Sequence, residues 1–571
     1  SSRYKIKKAN DNLQNFIEIW ISPLYAFKRT NMPKSYLELA YTFLLRNHPH
    51  DSICGCSLDR VHENMMYRFN QCEEILTEIF DRFKLDATHT ADGFEKVIRI
   101  FNPLPYSVEK FCEFNVCFEE DYPKFYMEGM GYEKINGFKI YDENGSEVEY
   151  SVTDINTDRN IRVVDQIFKR ADVYTVSLNV KLRPMGDTYY KIVPCDVPVR
   201  YFGNEAYITK KIDNEHISVT VNCDGSINLT DKATDTEYKN LISPVSCGEI
   251  GDGWIHVSPA SDFYSASTSA FVEVTESSAV KTTIKITQTM RLPKTVINDK
   301  RGYHRSGEYV NLDIVSFVTA GKNDRYVSVK TIVNNTAENH RLSLIFPSGT
   351  ANGEYSVNQA FAFVKRKIVD FNRFKNYFER PTKYMQNNGI IYTKDENKGL
   401  AVISEGGLHE GGVDRDGNIV FTLFRAFSNF YMTNGETESN ALEKMEFNYI
   451  IMPLDKNIKN TDIQRRQDVL RAETEYVEYN GKCEAGSTYG IEFLDESFVY
   501  STAYRTKDNS AGIRIYNAEN ENVKGKIRLP DGIKDAVITD FNDNVIKKCE
   551  TDGNILHLSL GPFEIVTLSL K

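Results

Sequence analysis

A mainly β protein with an N-terminal α-helical bundle, three helices followed by several antiparallel β-sandwich domains, is the fold class this sequence predicts. Two observations carry the prediction. Apolar residues recur at spacings of three and four only before residue 93, and from there to the C-terminus they alternate in twos between Gly-, Asn- and Asp-rich turns. The aromatic content supports it: 33 Tyr and 33 Phe stand against two Trp, the balance of a β-rich chain.

The first helix carries Ile6, Ala9, Leu13, Phe16, Ile17 and Trp20 on one face and is expected to end at Pro23. Asn31-Met32-Pro33 opens a second, with Leu37, Ala40 and Leu44 inward, which stops where His48 precedes Pro49. Ser57 and Asp59 start a third, whose Leu58, Val61, Met65, Phe69, Cys72, Leu76, Ile79 and Phe83 keep a seven-residue rhythm. Short loops make these an antiparallel bundle over 1–92, bounded by Ala91-Asp92-Gly93. A small β-domain is expected over 93–197 and a large antiparallel sandwich over 198–460. In the latter, the clearest hairpin runs Ile217-Val219-Val221, Asp224-Gly225, Ile227-Leu229. The polar stretch Asp462–Glu473 reads as a connector into a last β-sandwich within 461–571.

At 571 residues the chain has room for several cores. A net charge of −11 without a segregated basic face argues against nucleic acid and anionic membrane as partners. No run of eighteen apolar residues and no charged-then-apolar leader is present, and the ten cysteines are scattered through apolar runs. Together these predict a reduced, cytoplasmic protein. The chain starts without an initiator Met and enters a helix almost at once, as a piece of a longer polypeptide would.

The densest chemistry lies in Asn47-His48-Pro49-His50-Asp51-Ser52-Ile53-Cys54-Gly55-Cys56-Ser57, between the second and third helices. Three readings fit it. The imidazoles can cap helix ends and satisfy carbonyls. His48, His50, Cys54 and Cys56 can form a local N₂S₂ zinc knuckle, although His-x-His and Cys-x-Cys spacings strain four ligands onto one metal. Alternatively, one His with Asp51 supplies part of a catalytic metal site that other segments complete.

This stretch, with Val61-His62 after it, resembles the His-Asp turn of the glycoside hydrolase family 38 α-mannosidases, particularly their bacterial branch. The resemblance extends along the chain through Glu215–Val219 with Asp224-Gly225 and Asp231-Lys232, Asn335–Leu342, Gly399–Val402 and the final Gly561-Pro562-Phe563-Glu564-Ile565. It implies that His50 binds the active-site zinc and that Asp51 hydrogen-bonds sugar hydroxyls beside it. His48 has no ligand role in the family, and Cys54 and Cys56 are expected to be small, buried turn residues. The family's nucleophilic Asp and its His-x-Asp zinc ligands lie in an N-terminal α/β domain, and none of the ten His here begins His-x-Asp. The chain therefore resembles the portion after that domain, which becomes its expected partner, and is expected to be inactive alone. The implied chemistry is retaining hydrolysis of terminal α-mannosidic bonds in oligosaccharides or small mannosides.

Trp254, in Gly251-Asp252-Gly253-Trp254-Ile255-His256, is a second candidate sugar contact, or else a loop anchor packed on the sandwich. Gly406–Gly412 lacks the helix a phosphate loop requires, and His340 with Arg341 reads as sandwich packing. The rival function is a non-catalytic carbohydrate-binding or scaffolding protein. A homo-oligomer is compatible with this size, but no segment specifies an interface.

Overall fold

The computed structural model describes residues 2–88, 95–120, 122–126, 134–164, 167–196, 199, 201, 209–350, 352–378, 381–428 and 438–571. The Ala91-Asp92-Gly93 boundary and the join at 197–198 lie outside them. The chain is mainly β, with helices gathered at the N-terminus and several antiparallel sheets, as its hydrophobic periods require.

The first helix does not end at Pro23. Helix α1 (Tyr4–Asn15) passes into a π-helical stretch (Phe16–Ile21) and then α2 (Ser22–Ala26), with helical backbone at each join. Pro23 lies inside this continuous run, directly after the π-helical stretch, where the Ser22 N–H reaches back five residues to the Ile17 carbonyl and the widened backbone accommodates the proline ring. Helix α3 (Lys34–Leu45), the one-turn α4 (His50–Cys54) and the 30-residue α5 (Asp59–Thr88) complete the bundle. Leu13, Ile17, Leu37, Leu44, Met65, Phe69, Leu76 and Ile79 form its buried core, as spacing predicts, whereas Leu58, expected on the third helix's inner face, precedes α5 and is exposed.

Two sheets follow. One orders Glu475–Gly481, Glu95–Asn102, Gly186–Pro194, Phe138–Asp142 and Glu147–Val148; the other places Ile167–Leu182 between Val108–Glu119 and Tyr150–Val164. The edge strand Glu475–Gly481 comes from far down the chain and pairs antiparallel with Glu95–Phe101. The large sandwich faces a nine-stranded sheet against a six-stranded one, with Ile286, Met290, Ile314, Leu342, Phe421, Phe424 and Phe447 buried among its core residues. Its expected hairpin pairs Ile217–Val221 with Ile227–Asp231, and Gly225 takes the left-handed φ of 86° that the turn needs. Four- and five-stranded sheets form the last domain. Among the described residues, no helix is long and apolar enough to cross a membrane.

The stretch expected to be a polar connector is instead helix α6 (Asn460–Arg471). Its buried polar side chains satisfy neighbouring carbonyls, so polarity here does not mean solvent. Gln467 donates to the Asn388 and Ser404 carbonyls at 2.9 Å each and accepts from Asn358 Nδ2 at 2.9 Å. Burial pushes the Asp468 carboxyl up to about 6, against hydrogen bonding from Gln464. A folded pKa above the unfolded value makes this ionisation oppose folding, beginning above about pH 4 and reaching its full cost above about pH 6. Asp468→Asn is therefore expected to stabilise the protein by about 1–3 kcal/mol at pH 7.5, with the gain fading towards pH 4. Urea unfolding at the two pH values checks this.

Helix α1 docks the bundle on the large sandwich. The Tyr4 ring lies 4.4 Å from that of Phe447, and Lys8 pairs with Glu405 at 2.6 Å. The Gly406–Gly412 segment serves this docking. Asp11 Oδ2 accepts from the Gly407 N–H and contacts His409 Nε2, each at 2.7 Å.

Candidate active site

The His-Asp turn is a short helix held on three sides. Pro49, with extended ψ of 139°, leads into α4, and Gly55 at φ 86° ends it. Asn47 is fully buried, donating to the Met65 carbonyl at 3.1 Å and accepting from Arg68 Nε at 2.6 Å, which ties the end of α3 to α5. His48 Nε2 lies 2.8 Å from Asn10 Oδ1 on α1. At the other end of α4, the Cys54 carbonyl accepts from Ser2 Oγ at 2.8 Å and from the Lys7 ammonium at 3.0 Å, a cation where the helix dipole favours one. Burial lowers Lys7 to about 8. Beneath the turn, burial together with the charge of Arg3 lowers His62 to about 4, so its ring is neutral at physiological pH.

With these residues fixed, His50 and Asp51 are left facing outward. Their side chains are 88% and 54% exposed, with His50 Nε2 3.3 Å from Asp51 Oδ1. Cys54 is exposed and Cys56 half-buried, which corrects the expectation of buried turn residues. Burial and the neighbouring Asp51 push the Cys56 thiol up to about 12, and its Sγ donates to Asp51 Oδ1 at 3.4 Å. The knuckle is not formed. His48 is engaged with Asn10, and no cluster of three or more metal-ligating side chains exists among the described residues.

The tertiary structure brings the Trp254 loop to this turn. A Cβ on Gly253 would lie 2.7 Å from both Cα and Cβ of Cys56, so only glycine permits the contact. Ser2 bridges the two segments, its Oγ also reaching the Gly253 carbonyl at 3.3 Å. Trp254 is 52% exposed rather than packed as a loop anchor. Its backbone N–H and that of Ile255 donate to Asp252 Oδ1 at 2.9 and 3.1 Å. Gly253→Ala is therefore expected to lift the loop off Cys56 and cost about 1–3 kcal/mol. Because Trp20 is buried, acrylamide quenching of tryptophan fluorescence reads Trp254, and stronger quenching is the expected result.

Two residues that sequence reasoning missed anchor this loop. Glu249, on the approach to the loop, and Arg425, on the strand Asn418–Ala426, pair at 2.9 Å with side chains 0% and 3% exposed. Arg425 also donates to the Asp252 and Ile255 carbonyls at 2.5 and 2.7 Å. Glu249 Oε1 accepts from the N–H groups of Gly251 and Val257, and Oε2 lies 2.6 Å from His256 Nδ1. Burial alone would raise the Glu249 carboxyl, but the His256 hydrogen bond and the Arg425 charge hold it down at about 2. The available signal was Arg425 itself, a cation interrupting the apolar run Ile419–Phe424. His340 and Arg341 are structural as read. His340 is buried between Ser246 and Asn335, and Arg341 pairs with Glu410.

The turn thus carries an exposed imidazole and carboxylate, and the loop that meets it at Cys56 carries an exposed aromatic. Residues 212–429 match the glycosyl hydrolases family 38 C-terminal domain, and residues 498–568 match that family's C-terminal beta sandwich domain. The chain belongs to glycoside hydrolase family 38, whose C-terminal regions it carries. A curated Halalkalibacterium halodurans protein bearing a mannosylglycerate hydrolase name is 24% identical over 464 residues, 75% of this chain and 50% of that protein. The chain thus spans about half the length of this relative. Two solved structures from Enterococcus faecalis share the fold at 22% identity and TM-score 0.87. One is described as an α-mannosidase and the other as a protein in glycosyl hydrolase family 38; this chain is covered completely, and they are covered to 68% and 70%.

Proposed function

We propose that this chain forms one wall of the active site of a zinc-dependent retaining α-mannosidase that hydrolyses terminal α-mannosidic bonds of oligosaccharides or small mannosides. The carrying observation is the junction at Cys56 and Gly253, which joins the turn bearing the exposed His50-Asp51 pair to the loop bearing the exposed Trp254. In this reading Asp51 accepts hydrogen bonds from sugar hydroxyls and Trp254 covers an apolar sugar face. His50 and Asp51 fit a partial zinc site, offering one imidazole and one carboxylate, with further donors coming from outside the described residues. Zinc bound there polarises and orients sugar hydroxyls. The nucleophile and acid carboxyls, with the remaining zinc ligands, belong to an N-terminal catalytic domain, and the absence of His-x-Asp from this sequence supports that division. The name of the Halalkalibacterium relative supports mannosylglycerate as a test substrate. Ten unbridged cysteines support a reducing, cytoplasmic setting.

The test assays the full-length polypeptide that contains this chain, with zinc, against p-nitrophenyl α-mannoside and mannosylglycerate. Asp51→Asn is expected to lower kcat/KM by about 100-fold, and proton NMR should show α-mannose as the first product. Unchanged kinetics in Asp51→Asn, or no cleavage of any α-mannoside, would refute the reading. Saturable mannoside binding without turnover would favour a non-catalytic carbohydrate-binding protein instead.

A further inference from the structure

A polar pocket lies where the π-helical stretch, the large sandwich, α6 and the terminal domain meet. It encloses about 300 Å³ and is lined by Glu18, Phe361, Asp468, Arg471, Tyr500 and Tyr516 among others. Glu18 is about 16 Å along the helix from Lys7, which holds the His-Asp turn, so the two regions are distinct.

Three independent features set this pocket apart from ordinary domain packing. The helix departs from α geometry over Phe16–Ile21, the stretch that carries Glu18, and π-helical interruptions concentrate at functional sites. Among the described residues the half-buried Glu18 carboxylate receives only the Gln14 amide, at 3.4 Å to each oxygen, which leaves much of its acceptor capacity unmet. The Tyr500 hydroxyl, on a residue 5% exposed, has no well-formed hydrogen bond among the described residues, only the Ala503 backbone lying near it. The wall is also strained. Phe361 holds a left-handed φ of 61° at a tight turn, and its ring meets that of Tyr516 edge-on at 5.4 Å.

We propose that this pocket binds a small neutral polyhydroxyl molecule of monosaccharide size. Two carboxyls and a guanidinium offer both acceptors and donors to hydroxyls, while Tyr516 and Phe361 present ring surface to an apolar face. No three-ligand metal cluster occurs here or elsewhere among the described residues. The volume is at the small end of ligand pockets, which suits one sugar ring better than an oligosaccharide.

Isothermal titration calorimetry on the purified 571-residue chain tests this with D-mannose, D-glucose and glycerol. Saturable binding of at least one is expected, weakened about tenfold or more in both Glu18→Leu and Tyr500→Phe and retained in Asp51→Asn, which separates this pocket from the His-Asp turn. Circular dichroism establishes that the variants are folded, and Tyr500→Phe removes only the hydroxyl should Glu18→Leu fail that control. No saturable binding of any of the three up to about 50 mM, or binding unchanged in Tyr500→Phe, overturns the proposal. Binding lost in Asp51→Asn and kept in both pocket variants overturns it as well.

Discussion

His50→Ala is expected to strip zinc from the full-length protein and to lower its α-mannosidase activity at least about 100-fold while leaving its stability within about 0.5 kcal/mol of the parent. The separation follows from the geometry. The His50 side chain is 88% exposed and meets Asp51 at 3.3 Å, so no packing or buried hydrogen bond is lost when it is cut back to Cβ. Zinc content by mass spectrometry, kcat/KM and urea unfolding on the same preparation supply the three readings. Equal zinc and equal activity in the variant would remove His50 from the ligand set. The isolated 571-residue chain is expected to bind zinc weakly, because its described residues offer no cluster of three ligands. One tightly held zinc per isolated chain would place the metal elsewhere.

The second large effect is on folding. Glu249→Ala is expected to destabilise the large sandwich by about 3–5 kcal/mol, because it leaves the Arg425 guanidinium buried without its carboxylate. The same change deprives the Gly251 and Val257 N–H groups of their acceptor and frees His256 from its 2.6 Å contact, so the Trp254 loop loses its anchor. Replacing Arg425 as well, as Glu249→Ala with Arg425→Met, should recover part of the loss, since no charge then remains buried. The acid limb gives a further check. A carboxyl held at about 2 when folded contributes stability that is present above its unfolded value near 4.5 and is lost as pH falls from there towards 2. The parent should therefore lose stability faster than Glu249→Ala over that interval. Parallel acid limbs would mean that the pair stores no net electrostatic stability.

Burial by period was readable from the chain because it is a local property. Ile6, Leu13, Leu37, Leu44, Met65 and Leu76 lie inward wherever their helices pack, and Ile217, Val219, Ile227 and Leu229 alternate inward in whatever sheet they join. Where local rules compete, the reading failed. Pro23 was tolerated because the π-helical stretch before it widens the backbone, and α6 looked like a connector because its buried amides are polar. The return of Glu475–Gly481 to the sheet begun by Glu95–Asn102 had no local signal, since strand pairing across nearly 400 residues is decided by which edge stands open.

The candidate site divides in the same way. Sequence by itself determined the chemistry of the turn, an imidazole and a carboxylate on consecutive residues between two helices, because ligand type and spacing are properties of the chain. Only the tertiary structure decided that His48 is engaged by Asn10 while His50 is left open, and that the loop carrying Trp254, two hundred residues away, meets the turn at Cys56. The physical reason is that this juxtaposition rests on one glycine contact and one buried ion pair, Gly253 on Cys56 and Glu249 with Arg425. Each joins segments that are unrelated until the large sandwich has folded and the bundle has docked on it.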